Sequence, residues 1–245
     1  MKGSELRLIE YMEGSKKRFI IPVYQRNYDW KIENCKQLYD DLIQVIKNNS
    51  KTHFFGSIVS VYEPSGRNTE FLIIDGQQRL TTMSLLFLAL YNLLEEKIII
   101  SEDESLKDQI YEDFLVDKYQ PQEKRMKLKP IKNDQKAFSK LFNSKDDYIK
   151  DSNLTINYSY FYERIQKQEI TIDELFDAIC RLEIINITLN NEDNPQLIFE
   201  SLNSTGLDLS EGDKIRNYIL MGLPKQKQDE YYEKYWNCIE KCTKY

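Results

Sequence analysis

One histidine, His53, stands in a chain of 245 residues. That scarcity excludes any mechanism needing two imidazoles, the paired histidines of an H-N-H nuclease among them. Cysteine is almost as sparse. Cys35, Cys180, Cys238 and Cys242 include no Cys-x-x-Cys pair, which speaks against a zinc finger and against a disulfide framework. No apolar run reaches membrane-spanning length. The best candidate, Leu80 to Leu94, is interrupted by Thr81, Thr82, Ser84 and Asn92, and the N-terminal M-K-G-S-E-L-R-L-I-E has no signal-peptide core. These absences lead us to expect a soluble cytoplasmic protein. Internal repeats, low-complexity linkers and a Walker A lysine motif are also missing. The formal charge of -6 and pI near 5.1 exclude a wholly basic nucleic-acid coat, although a local basic face stays open. What is plentiful is apolar material: 41% hydrophobic and 12% aromatic residues are too much for a solvated chain, so this one folds.

The most informative stretch is Ile74 to Thr82, I-D-G-Q-Q-R-L-T-T, which packs an acid, a glycine, two amides and a guanidinium into one turn. Phe71-Leu72-Ile73-Ile74 before it is of strand type, and Leu80 to Leu94 after it is long enough for a buried helix. A strand-loop-helix junction of this kind suits an anion, because the first helical turn leaves N–H groups unpaired at the positive end of the macrodipole. Gly76 permits positive φ and Arg79 offers a planar fork for phosphate, while the hydroxyls of Thr81 and Thr82 can cap the helix or touch a ligand oxygen. Asp75 can hold magnesium or orient water. The alternative is a capped turn whose Asp and Gln side chains merely bond the backbone.

A second polar cluster, Tyr24-Gln25-Arg26-Asn27-Tyr28-Asp29-Trp30, interleaves rings with a guanidinium and amides, a mixture suited to stacking a base while reaching a phosphate. The competing reading makes Tyr24, Tyr28 and Trp30 half-buried anchors. A third polar loop, Asn203-Ser204-Thr205-Gly206-Leu207-Asp208-Leu209, lies between two helical stretches, and Asn203, Thr205 and Gly206 are its candidate ligand groups. In Lys124 to Lys132, strand alternation would place Met126 and Leu128 on one side and Arg125, Lys127 and Lys129 on the other, a basic stripe for a nucleotide or DNA phosphate.

The periodicities predict strands at 19–24, 53–62, 70–74 and 181–189. They predict helices at 33–46, 80–94, 102–116, 133–142, 154–168, 172–179, 194–202 and 210–221, with a helical stretch from 225 on. Ser210, followed by Asp213, resembles a helix start. The expected fold is α+β: a small mixed sheet closing by residue 95, then a mainly helical region over 96–245 whose strand at 181–189 rejoins the sheet.

Four motifs together carry a resemblance. They are I-P-V-Y-Q-R-N-Y-D-W at 21–30, F-F-G-S-I-V at 54–59, I-D-G-Q-Q-R-L-T-T at 74–82 and F-E-S-L-N-S-T-G-L-D-L-S at 199–210. In this order they resemble the domain-of-unknown-function 262 family, the N-terminal module of GmrSD-type modification-dependent restriction enzymes. The resemblance implies a core like that of ParB and sulfiredoxin, in which a Gly-x-x-Arg turn at a helix start holds nucleotide phosphates, matched here by Gly76-Gln77-Gln78-Arg79. It implies a module that binds or hydrolyses a nucleoside triphosphate with magnesium and controls an attached H-N-H nuclease acting on modified DNA. By that likeness Gln25, Arg26, Asp75, Gly76, Gln77, Gln78 and Arg79 are nucleotide-site residues. Hydrolysis would rest on Asp75 with a metal, on Gln77 or Gln78 to position water, and on Arg26 or Arg79 to offset charge.

The nuclease module is not found in this sequence, so its partner is expected in a longer chain or a second subunit. Two rival functions stand beside this one: a non-catalytic adaptor for DNA or protein, and a ParB-like nuclease, which a single clear carboxylate serves poorly.

Overall fold

A computed structural model of the chain describes residues 1–245 apart from 66–67, 191–192, 204–209 and 244–245. The first half begins with β1 (Lys2–Arg7), α1 (Leu8–Met12), β2 (Lys17–Ile20) and α2 (Ile32–Lys47). The hairpin β3 (His53–Ser65) and β4 (Asn68–Asp75) follows, and then α3 (Gln77–Glu95). The middle holds α4 (Leu106–Ile110), which widens into a π turn over Tyr111–Leu115, and then β5 (Leu128–Lys129), α5 (Lys132–Lys140), α6 (Asn153–Gln166) and α7 (Ile172–Cys180). Last come β6 (Leu182–Leu189), α8 (Pro195–Asn203), α9 (Glu211–Met221), α10 (Lys225–Tyr231), a π turn over Tyr232–Trp236, and α11 (Asn237–Thr243).

One mixed six-stranded sheet in the order β1-β6-β3-β4-β2-β5 organises these elements. The hairpin pair and β1/β6 are antiparallel, whereas β6/β3, β4/β2 and β2/β5 are parallel. The expected α+β architecture is therefore present, and the strand at 181–189 does enter the sheet, between β1 and β3. The strand expected over 19–24 stops at Ile20, because Pro22 has no N–H to give to a ladder. The pairing of β1 was not foreseen: its K-G-S-E-L-R is almost wholly exposed and shows no apolar alternation.

Neighbouring strand residues point to opposite faces, and this divides the apolar material in two. Ile58 and Ile73 enter the large cluster with α2, α3, α6 and α7, while Val59 and Ile74 enter a smaller one with Tyr24, Leu189, Phe199, Leu220 and Tyr232. Helix α3 is buried all round from Leu85 to Leu90, which is why its sequence is apolar rather than amphipathic. Each such leucine stabilises the fold by about 1.5–3 kcal/mol relative to leaving it in water.

The expected basic stripe is broken. Lys127 is 1% exposed. Its ammonium donates to the carbonyls of Gly14, at 2.6 Å, and Asp113. Only Leu128–Lys129 form a strand, so alternation does not hold across 125–129, and Arg125 is exposed while Lys127 ties the β2–β5 edge to the chain before it. Burial lowers the Lys127 ammonium from 10.5 to about 8. Between those values the unfolded chain binds more protons than the folded one, so this lysine makes stability rise with pH across that window. Urea unfolding of wild type and Lys127→Met at pH 7 to 10.5 tests this. The difference in stability should move in favour of the wild type above pH 8, and a difference that stays level with pH would refute a depressed Lys127.

Candidate functional site

The sheet ends where the polar turn begins. Asp75 closes β4, and Gly76 follows at φ 92°, ψ 8°, a left-handed backbone that serves as the cap residue of α3. A Cβ at Gly76 would stand 3.0 Å from both the Ile58 side chain and the Ser57 carbonyl, so both φ and space call for glycine. Leu80 N–H bonds the Gly76 carbonyl at 3.0 Å. The preceding N–H groups of Gln77, Gln78 and Arg79 have no acceptor among the described residues, leaving the positive end of a 19-residue helix open.

Arg79 turns back from that first turn across β3. Its Nη1 donates to the Ser57 carbonyl at 3.0 Å and stands 3.9 Å from Asp75 Oδ2, with both side chains about one-third exposed. The guanidinium lies directly on Gly56, where a Cβ would come within 2.5 Å of Arg79 Nε. Gly56 itself sits at φ 125°, where the β3/β6 register shifts. Its part in the site follows from an isolated glycine inside a strand pattern, which marks a close approach.

The Tyr24–Trp30 loop is stitched to this turn on both sides of Arg26. Gln25, 3% exposed, donates through Nε2 to the Ile74 carbonyl at 2.8 Å. Gln78 Oε1 accepts from Asp29 N at 2.9 Å and Trp30 N at 3.2 Å, and its Nε2 donates to the Asn27 carbonyl at 3.2 Å. The two glutamines of the motif therefore differ. Gln78 has both ends of its amide occupied and holds the loop, whereas Gln77, 8% exposed, has no side-chain hydrogen bond among the described residues. Arg26 is half-buried and has no ion-pair partner among the described residues.

The aromatic members are anchors rather than stacking platforms. Tyr24 is buried in the smaller cluster, and burial pushes its hydroxyl far above the usual tyrosine value. Tyr28 is also buried and its hydroxyl raised for the same reason; its oxygen bonds Thr82 Oγ1 at 2.7 Å and accepts from Asn157 Nδ2 at 2.9 Å. Gly76 is the cap, so Thr81 and Thr82 lie in the second turn of α3. Both are buried, and Thr82 serves the Tyr28 network instead of capping the helix.

Three anchors of the loop come from far along the chain and were not foreseen from sequence. Asp134 accepts from Tyr28 N at 2.6 Å, Asn157 donates to the Trp30 carbonyl at 2.8 Å, and Arg216 Nε donates to the Tyr24 carbonyl at 2.9 Å. A buried asparagine on an otherwise apolar helix face was the available signal for Asn157. Arg216 is held by Asp213 at 2.5 Å, and Asp213 in turn bonds the Ser210 hydroxyl, which caps α9 as its sequence predicts. Next to it, Asn217 is 3% exposed with neither amide atom paired. Of the third polar loop, Thr205 and Gly206 lie outside the described residues; Asn203 ends α8, whose Phe199 packs in one cluster with Ile74.

Asp75 is the carboxylate closest to the turn. No group of three His, Cys, Asp or Glu residues that could hold a metal occurs among the described residues. A lone carboxylate suits magnesium that arrives on phosphates and keeps most of its ligands from them and from water. The turn thus combines open helix N–H groups, the Arg79 guanidinium, one acid and an amide unpaired among the described residues, and the loop stitched to it carries Arg26.

Gly56→Ala tests how closely Arg79 depends on the missing side chain. The positive φ and the 2.5 Å approach should together lower stability by about 1–3 kcal/mol. In an Arg79→Ala background the loss should be smaller, since the clash is gone, and a double-mutant cycle by urea unfolding measures the difference. Strict additivity would show that the two residues are not packed together.

No helix among the described residues is long and apolar enough to cross a membrane. A search of curated proteins finds no match to the chain. The family model described as GmrSD restriction endonuclease, N-terminal domain, matches residues 8–220, which include the turn, its loop and the helices that anchor them. The chain belongs to the family of GmrSD restriction endonuclease N-terminal domains.

Proposed function

We propose that the chain is the nucleoside-triphosphate-binding and hydrolysing module of a modification-dependent restriction system, and that its nuclease partner lies in a further part of the enzyme or in another subunit. The observation that carries this reading is the Arg79 guanidinium packed on Gly56 beside an uncapped helix start. Such a start provides N–H donors and positive potential at the place where Arg79 provides a planar cation. The likeness to a ParB and sulfiredoxin type of core belongs to the same proposal.

In this mechanism the phosphates rest on the N–H groups of Gln77, Gln78 and Arg79, with Arg26 closing from the loop. Gln77, whose amide is free, orients a water toward the γ-phosphorus. Water adds to phosphorus, the bond to the β–γ bridging oxygen breaks with its electrons going to the nucleoside diphosphate, and inorganic phosphate leaves with the water's oxygen and one of its protons while the other passes to bulk water. Charge builds on the leaving oxygen, and Arg79 and Arg26 offset it. Magnesium, held by Asp75 and the phosphates, would supply further neutralisation. Gln78, Gln25 and Tyr24 are positioning residues in this scheme, and Thr82 supports Tyr28.

A DNA-binding adaptor would rest on Arg125, Lys127 and Lys129, and the burial of Lys127 takes away its central member. The nuclease reading has Asp75 as its one clear carboxylate, where metal-dependent nucleases gather several.

Phosphate release from ATP, GTP, CTP and UTP with magnesium, with binding followed in parallel, tests the proposal. Arg79→Ala should abolish binding and turnover. Gln77→Ala should lower turnover by about 10²-fold with binding kept. Gln78→Ala should weaken both by loosening the loop. A wild type that neither binds nor hydrolyses any of the four refutes the proposal.

A further inference from the structure

A second concave site lies on α6, away from the turn. A groove of about 470 Å³ runs between the start of α2, the segment from Lys145 to Lys150 and the outer face of α6. That volume falls in the range of small-molecule sites. Three of its polar residues, Thr155, Ser159 and Glu163, recur at intervals of four, so they lie in a row on one helix face. None of the three side chains has a hydrogen-bond partner among the described residues, and Thr155 is 5% exposed with its hydroxyl buried. Buried hydroxyls are ordinarily satisfied, so an unpaired one in the wall of a groove points to a missing ligand group or water.

The remaining lining sets the kind of ligand. Tyr148 and Tyr160 add half-exposed rings to which a flat heterocycle can pack. Lys150 brings an ammonium with no ion-pair partner among the described residues, whereas Lys145 is already held by Glu96 at 3.0 Å. A ring, an anion and vicinal hydroxyls are thus matched together: rings for the base, Lys150 for a phosphate, and the Glu163 carboxylate as acceptor for sugar hydroxyls, the use acidic side chains commonly have at ribose. An anion without hydroxyls would leave Glu163 repelling it. We propose that the α6 groove is a second ligand site, for a free ribonucleoside monophosphate. It stands independently of the reading of the Asp75–Arg79 turn.

Titration calorimetry of the full chain with adenosine 5′-monophosphate tests this, with the 2′,3′-dideoxy analogue as second probe. Binding should survive Arg79→Ala and weaken tenfold or more in Lys150→Ala and in Glu163→Ala, both of which change exposed side chains. The dideoxy analogue should bind wild type about as weakly as the natural ligand binds Glu163→Ala. Loss of binding in Arg79→Ala alone would put the ligand at the turn and overturn the proposal. So would no binding at millimolar ligand, or a single-stranded oligodeoxynucleotide that binds through Lys150 more tightly than the monophosphate.

Discussion

Two buried glutamine side chains hold the candidate site together. Gln25 reaches from the loop to the end of β4, and Gln78 reaches from α3 to the loop, so that Arg26 is fixed between two amide bridges. A side-chain amide can donate and accept at once, which makes it a substitute for a missing strand partner. The loop backbone at Asn27, Asp29 and Trp30 is satisfied by Gln78 in the way a neighbouring strand would satisfy it. Removing the Gln25 amide takes this partner from the buried Ile74 carbonyl, at about 1–3 kcal/mol, whereas the part-buried groups held by Gln78 lose less because water reaches them. The loop's other supports, Asp134, Asn157 and Arg216, come from three separate helical regions, so the helices after the hairpin complete the support of a site whose turn lies within it.

Electrostatics at the turn run against the chain's overall balance. A protein with formal charge -6 sets an arginine at an open helix start here, with Asp75 as the nearby acid and Arg26 on the loop tied to the turn. Exposed pairs such as Arg79 with Asp75, at 3.9 Å, contribute little stability. In the proposed function the arrangement is a positive potential kept for a ligand rather than a device for holding the fold. The unpaired amide of Asn217 fits the same view, since a buried group without a partner lowers stability unless something else meets it.

Much of this is legible in the sequence. The hairpin, α2, α3 and the strand at 182–189 follow from periodicity because each buries one face or both, and burial leaves its mark on residue spacing. The D-G-Q-Q-R turn was found through Gly76 and its flanking elements. Other features left no such mark. Lys127 sits in an alternating stretch that looks like an exposed basic face, yet a lysine stem can be buried when two carbonyls receive its ammonium. Thr81 and Thr82 have the chemistry of caps, but the cap falls at Gly76 and moves them one turn inward. Gln77 and Gln78 are the same residue type side by side. Only the fold of the distant loop decides which is tied and which is free. Strand β1 was illegible for another reason: its pairing is set by backbone bonds to β6, and its side chains face water.

That pairing has a consequence for synthesis on the ribosome. The β1 segment has β6 as its partner in the sheet, and β6 is also the strand that sits between it and β3. It must wait for roughly 180 further residues, on the order of ten to forty seconds at ordinary translation rates. The hairpin and α3 can associate long before then, so the sheet grows outward from its middle and the N-terminal strand docks late. Its lysine, glutamate and arginine, which look idle in the finished sheet, are suited to keeping a waiting strand from pairing with the wrong chain.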